Sequence, residues 1–380
     1  MSEDIYKKSL RLHKEHKGKL RMEAIVHIDS RDDLSWAYSP GVAEPCREIA
    51  KDPQKMYDYT LKSRTIAVIS DGSAILGLGN LGHKASMPVM EGKCVLFREF
   101  AGVDAFPIIV GTQDVEAFIS TVKHIADGFG GINLEDISAP RCFEIEERLK
   151  AELDIPVMHD DQHGTAIVVL AGLINALRVT GKNKEDIKVV LNGAGAAWVA
   201  ITKLLHLYGV KNFIACDSKG IIHAGREGLD ISKQKLLEFT NTENITWSLA
   251  DAIIGADVFI GVSVAGALTL DMARTMASDA IVFAMANPTP EIMPEIAKEA
   301  GIRIIGTGRS DYPNQVNNVL AFPGIFKWVL KYSKKKITDE MKIRAAEALA
   351  SAVAYPSENS ILPDALDKSV ADIVAEAMKD

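Results

Sequence analysis

Two pairs of adjacent carboxylates carry the first chemical signal. Glu135 and Asp136 close the stretch INLEDI, and Asp160 and Asp161 lie in IPVMHDDQHGTA. Each pair ends an apolar run that predicts a buried strand, over 132–136 and 155–161. Acidic residues at the C-terminal ends of strands sit where open α/β sheets bind ligands. If the two strands are neighbours, three or four carboxylates converge; uncompensated, they repel one another and raise their own pKa values. A hard divalent cation removes that penalty. All-oxygen ligation suits Mg2+ or Mn2+ and leaves positions open for water and substrate. The alternative is N-capping, because Asp136 and Asp161 each precede a predicted helix and aspartate is a good cap. His159 and His163 flank the second pair. With no third nitrogen or sulfur ligand evident, they read as structural histidines rather than as a zinc site.

A second signal is the segment IKVVLNGAGAAW. It predicts a buried strand, a turn at Gly193, Ala194 and Gly195, and a helix from about Ala196 and Ala197. Asp217 ends the next predicted strand. This is the Rossmann arrangement: the first glycine permits the tight turn, the second lets backbone approach a pyrophosphate, and the helix N-terminus supplies free N–H groups. The glycines alone would fit an ordinary strand–turn–helix; the flanking strand, helix and distal aspartate favour the cofactor. Trp198 stands where Gly or Ala normally allows close packing, so its indole is expected to push the helix outward unless Ala196 and Ala197 compensate. Asp217 can accept ribose hydroxyls and repels a 2′-phosphate, which favours NAD. Ser218 and Lys219 could receive such a phosphate and keep NADP open.

These side chains need a frame. Apolar runs predict strands over 65–70, 94–100 and 105–110. A helix over 114–129 carries Val115, Phe118, Ile119, Val122, Ile125 and Ala126 on one stripe, and a further helix is predicted over 141–153. The second part alternates more sharply, with strands over 187–192, 212–217, 258–262, 280–286 and 302–306. This predicts an α/β chain of two domains: an N-terminal α/β substrate and metal domain over 1–160, and a C-terminal Rossmann-like doubly wound parallel sheet over 161–380. A helix over 164–181 is expected to bridge them. The alanine-rich stretch 338–378 is expected to be helical and to pack back on the first domain.

Composition narrows the function classes. In 380 residues, 43 basic side chains face 51 acidic ones, a net charge of −8. That argues against nucleic acid as a partner, which needs a basic face. The four cysteines, Cys46, Cys94, Cys142 and Cys216, show no zinc spacing and read as reduced thiols of a cytoplasmic protein. The charged N-terminus has no signal-peptide character. The most apolar stretch, 166–177, is too short to cross a bilayer, so no membrane association is expected.

Eight motifs in order carry a family resemblance: WAYSPGVAEPC, ISDGSAILGLGNLG, PVMEGKCVLFREFAGVDAFPI, INLEDI, HDDQHGTA, GAGAA, MANPTPE and SDYPNQVNNVLAFPGIF. From about residue 10 onward the chain resembles the malic enzymes, specifically their short bacterial and archaeal type. The resemblance implies a homodimer that converts malate to pyruvate with NAD or NADP and a divalent metal. It makes Tyr38 the general acid, Lys93 the general base, and Glu135, Asp136 and Asp161 the metal ligands. Asp160 is then an acidic neighbour that tunes the base; Asn287 and Asn318 hold malate, and Asn287 and Asn317 lie by the cofactor. Without the resemblance, Tyr38 would read as a buried tyrosine beside a Pro-Gly turn, and Lys93 as a surface lysine after a glycine turn. Larger family members place an arginine where this chain has Ala74, which leaves one malate carboxylate without a named cation. Three rivals remain: a malolactic enzyme, a metal-independent amino-acid-type dehydrogenase, and a non-catalytic dinucleotide-binding protein.

Overall fold

The computed structural model describes residues 4–193 and 195–379. The expected glycine-turn residue Ala194 lies outside them.

Two sheets organise the chain. The first contains β1 (Thr65–Ser70), β2 (Asp104–Ile109), β3 (Gly131–Leu134) and β4 (Val157–His159), all parallel, in the order β2-β1-β3-β4. The second contains β5 (Lys188–Gly193), β6 (Asn212–Asp217), β7 (Gly220–Ile221), β8 (Val258–Val262), β9 (Ile281–Ala284) and β10 (Ile304–Thr307), in the order β10-β9-β8-β5-β6-β7. This is the Rossmann order, parallel except for β7, which turns back antiparallel on β6. β1 is buried along its whole length, as a strand covered on both faces must be.

Three expectations need correction. Residues 94–100 are not a strand; they lie in the helix His83–Ala101. Its buried positions, Ser86, Met90, Lys93, Cys94, Phe97 and Ala101, follow helical spacing. Secondly, Asp160 and Asp161 do not end a strand but open the helix Asp160–Thr180, which starts four residues before the predicted one. That helix has 21 residues and is apolar enough to span a bilayer by composition. Length therefore does not exclude a span; the helix is instead a core element, 72% of its apolar window being buried in the fold. Thirdly, the C-terminal stretch is two helices, Asp339–Ser351 and Val370–Ala377, separated by a segment containing Pro356 and Pro363.

The Asp160–Thr180 helix is the spine. One continuous apolar cluster joins its Leu170 and Leu173 to Ile66 and Val68 of β1 and to Val189 and Leu191 of β5. Its Asn175 donates to Ala350 O at 2.8 Å and Ile361 O at 3.0 Å, tying the C-terminal segment to it. Lys368 pairs with Glu99 at 2.7 Å, so the C-terminus does return to the first sheet's helices. By contrast, the N-terminal helices Ile5–His16, Arg31–Ala37 and Ala43–Lys51 bury no residue, although Ile5, Leu10 and Trp36 are large apolar side chains.

Candidate active site

The carboxylates meet because two parallel strands are neighbours in register. Leu134 of β3 pairs with His159 of β4, so Glu135 and Asp160 emerge side by side at the C-terminal edge. The backbone of Asp136 then adopts φ +54°, in the left-handed region that aspartate tolerates better than most residues, and turns its side chain back. One carboxylate oxygen from each of Glu135, Asp136 and Asp161 lies within 4.8 Å of the others. The Asp136 N–H donates to Asp161 Oδ2 at 2.8 Å, and Asp136 Oδ2 is buried with no hydrogen-bond partner. An orphaned carboxylate oxygen facing two others is a donor set that fits a hard cation. Among the described residues this is the only grouping of such side chains, so the histidines do not build a zinc site. Capping is ruled out as well: the Asp160–Thr180 helix has no side-chain cap, and neither does the helix Arg141–Glu152.

Lys93 is only 7% exposed. It is neither on the surface nor after a turn, because Gly92 lies inside its helix. Its Nζ is 2.7 Å from Asp160 Oδ2 and 2.9 Å from Glu135 Oε1, and stands 4.3 Å from the Phe322 ring centroid. Burial lowers its pKa, but Asp160, Glu135 and Asp161 outweigh burial and hold it above the ordinary lysine value. Burial works the other way on the acids. It pushes Asp136 up to about 9, with help from Asp161 and Glu135, and Asp160 and Asp161 to about 6, against the pull of Lys93.

This has a measurable consequence. A carboxylate whose folded pKa is raised binds more protons folded than unfolded, so its stabilising contribution is full below the unfolded pKa and is lost as pH rises through the folded one. Metal-free protein should therefore melt at lower temperature as pH rises from about 4 to about 9, with Asp160 and Asp161 contributing up to about 6 and Asp136 alone beyond it. Mn2+ should raise the melting temperature more at the upper pH, since it replaces protons. An increment that shrinks as pH rises would contradict a cation site here.

Several other residues hold the site. Asn318 Nδ2 donates to Asp160 Oδ2 at 2.5 Å, so this amide secures the acid beside Lys93. Asn287, Asn317 and Asn318 line the same cavity as Lys93 and the three carboxylates, about 950 Å³ in volume. Asn317 Oδ1 accepts from Val319 N at 3.0 Å. The loop after β1 is anchored over the cluster: Ala74 N donates to Asp136 O at 3.0 Å, and Arg141 reaches Asp71 Oδ2 at 2.7 Å. Glu146, buried, replaces the missing helix cap. It accepts from His159 N–H at 2.9 Å, Gln162 Nε2 at 3.2 Å and His163 Nε2 at 2.9 Å, and pairs with Lys150 at 2.5 Å. Burial pushes His163 down to about 4, so it is neutral and structural.

Tyr38 is not brought to this cavity. It is 69% exposed, at the C-terminal end of the helix Arg31–Ala37, and is neither buried beside its turn nor on the cavity wall.

The dinucleotide elements form as expected. β5 runs to Gly193, and the helix Ala196–Tyr208 follows Gly195. A Cβ on Gly193 would stand 2.8 Å from Val262 O, whereas one on Gly195 would meet nothing within 4 Å. The first glycine is thus required by packing, and the second faces open space where a pyrophosphate can approach. Gly195, Ala196 and Ala197 line a recess beside the main cavity. Trp198 does not expel the helix: it is fully buried, with Nε1 3.5 Å from Leu191 O.

Asp217 differs from expectation. Its carboxylate already receives Lys219 N–H at 2.9 Å, Arg226 Nη2 at 2.6 and 2.8 Å, and Lys233 Nζ at 3.0 Å. Burial pushes its pKa up, but these donors outweigh it and hold the group below the ordinary range. Two cations surround one anion, and Arg226 Nη1 is buried with no partner.

Sequence reasoning missed Arg226, Lys233, Glu146 and Gly164. Only Gly164 left a signal, a glycine inside a helical pattern. A Cβ there would stand 1.9 Å from Asp160 Oδ1.

Comparison with known proteins adds two matched segments. Residues 16–150 match the family description "Malic enzyme, N-terminal domain", and residues 162–379 match "Malic enzyme, NAD binding domain". The bifunctional malic/malolactic enzyme of Bacillus subtilis (strain 168) is 58% identical over 98% of this chain and 92% of its own. The NAD-dependent malic enzyme of Geobacillus stearothermophilus is 55% identical over 95% of this chain and 76% of its own. A solved malic enzyme from Pyrococcus horikoshii Ot3 superposes with a TM-score of 0.95 at 50% identity, covering 99% of this chain and 90% of that one.

Proposed function

The chain belongs to the malic enzyme family, and from that premise we propose that it converts malate to pyruvate and CO2 while reducing NAD or NADP, with Mg2+ or Mn2+ bound. The observation that carries this reading is the convergence of Glu135, Asp136 and Asp161 beside a buried lysine, on the same cavity as the asparagines Asn287, Asn317 and Asn318.

Glu135, Asp136 and Asp161 would hold the divalent cation, which when bound supplies a Lewis acid for the C2 oxygen of malate and for the electron flow of decarboxylation. The nicotinamide supplies the hydride acceptor. Lys93 takes the proton of the C2 hydroxyl, which requires the neutral amine. Asp160, Glu135 and Asp161 keep it charged; a cation shared by Glu135 and Asp161 would offset two of these three pulls and add its own repulsion, which together with burial favours the neutral amine. Asp160, itself gripped by Asn318, fixes where the Lys93 nitrogen stands. Asn287 and Asn318 orient malate, and Asn317 lies beside the nicotinamide.

Tyr38 donates the final proton to C3 of enolpyruvate. Because it lies exposed and off the cavity, a second copy of the chain must bring it, so the working unit is a homodimer. The exposed Ile5, Leu10 and Trp36 of the N-terminal helices, with Met22 between them, are the apolar surface such a dimer would cover.

The Asp217 cluster favours acceptance of NADP as well as NAD. Its carboxylate is neutralised, its lone-pair positions are filled, and Arg226 retains a free donor for a 2′-phosphate.

One assay tests the reading: malate with NAD and with NADP in parallel, each with Mn2+ or with EDTA, following reduced cofactor and pyruvate. Pyruvate with both cofactors, abolished by EDTA, is the expected result. Activity that survives EDTA would point to an amino-acid-type dehydrogenase. Lactate without net cofactor reduction would point to malolactic chemistry, a reading kept because the Bacillus relative carries both names.

A further inference from the structure

We propose that Lys19 is the cationic partner of the malate carboxylate that the metal cluster does not hold; this rests on the malate reading above. Malate carries two carboxylates. A cation at Glu135, Asp136 and Asp161 can take one of them together with the C2 hydroxyl. The other must lie in the same cavity and needs its own compensation, because a bare carboxylate leaving water is costly.

Only two lysines and no arginine stand on the described wall of that cavity: Lys93 and Lys19. Lys93 is committed to Asp160 and Glu135. Lys19 has no acid at ion-pair distance among the described residues, although Glu91 attracts its ammonium from farther off. Its ammonium donates to Pro88 O at 2.7 Å, and among the described residues no carboxylate pairs with it. Two of its three N–H donors are therefore available. Arg141 is off this wall and already paired with Asp71.

The placement of Lys19 is built. Its own N–H donates to Glu91 Oε2 at 3.1 Å, fixing the chain against the His83–Ala101 helix. Gly92 makes the approach possible: a Cβ there would stand 3.2 Å from Lys19 Nζ. The ammonium thus rests on the helical turn that carries Lys93. A second polar group shares this wall. His13 donates from Nδ1 to Ser9 O at 2.8 Å, and its Nε2 is buried without a partner.

The chemistry says where the effect must fall. The departing carboxylate becomes neutral CO2, so a cation held to it is strongest in the ground state and weakens toward the transition state. Such a residue captures substrate and does not speed the chemical step, so its loss raises KM without lowering kcat.

The test uses full-length Lys19→Gln, Lys19→Met and Lys19→Arg proteins with Mn2+ bound. Malate and pyruvate affinities are measured by calorimetry, and malate turnover alongside. In Lys19→Gln and Lys19→Met, malate Kd and KM should rise about 10- to 100-fold, the range for a lost hydrogen bond to a charged group. Pyruvate, which lacks the second carboxylate, should shift by less than about twofold, kcat should not fall, and Lys19→Arg should retain most of the affinity. Equal losses for malate and pyruvate would show that Lys19 merely supports the wall, and unchanged malate affinity would overturn the proposal outright. Failure of the unaltered protein to bind malate would instead overturn the malate reading.

Discussion

A Lys93→Ala protein should lose malate turnover by about 10²- to 10⁴-fold, the range expected for a positioned proton acceptor, while still binding dinucleotide. The loss follows from its geometry: among the described residues no other amine reaches Asp160 and Glu135. A Tyr38→Phe protein should be similarly impaired although its side chain touches nothing in the cavity of its own chain. Mixing the two inactive proteins under subunit exchange makes the decisive measurement. A hybrid dimer holds one site with both wild-type groups only if the tyrosine arrives from the partner. Random pairing should then restore about a quarter of wild-type activity. No recovery would place Tyr38 within its own chain's site or outside the mechanism.

The second large effect is expected from the smallest change. Gly164→Ala should reduce turnover by at least about 10²-fold and stability by about 1–3 kcal/mol, as overpacking of a rigid site does. The added methyl would sit 1.9 Å from Asp160 Oδ1 and 3.2 Å from Asn318 Cβ. Both residues belong to the helix-bound group that holds Lys93, so the carboxylate must swing away. Alanine is otherwise the better helix former by about 1 kcal/mol. Gly172→Ala, on the same helix, would meet nothing closer than Phe283 Cζ at 3.3 Å, with Ile361 Cδ1 and Leu362 Cδ1 at 3.6 Å, and serves as the control. Kinetics and denaturant unfolding of both variants check the argument; equal effects would mean that the clash at Asp160 is relieved at no catalytic cost.

The sequence exposed the strand–helix rhythm and the acid pairs because both are local patterns. Apolar runs such as 65–70 and 258–262 became strands where expected. CVLFREF misled because a seven-residue window of bulky residues suits either structure; the helical spacing from Ser86 to Ala101 shows only over about four turns. Glu146, Arg226, Lys233 and Lys19 could not be read at all. Each acts on a residue brought near only by the fold, such as Lys233 on Asp217 across an intervening loop. The position of Tyr38 was hidden for a different reason, since a motif gives identity but not the chain on which its partner lies.

One feature of the cation cluster bears on how such a protein can be cut and recombined. The two matched segments stop at residue 150 and resume at 162. That seam runs through the acids themselves, leaving Glu135 and Asp136 in the upstream segment and Asp160 and Asp161 in the gap, just short of the downstream one. Exchange of either part between homologues therefore transplants an incomplete ligand shell. Crossovers that keep β3, β4 and the first turn of the Asp160 helix from one parent should yield working chimaeras far more often than those placed at the apparent boundary.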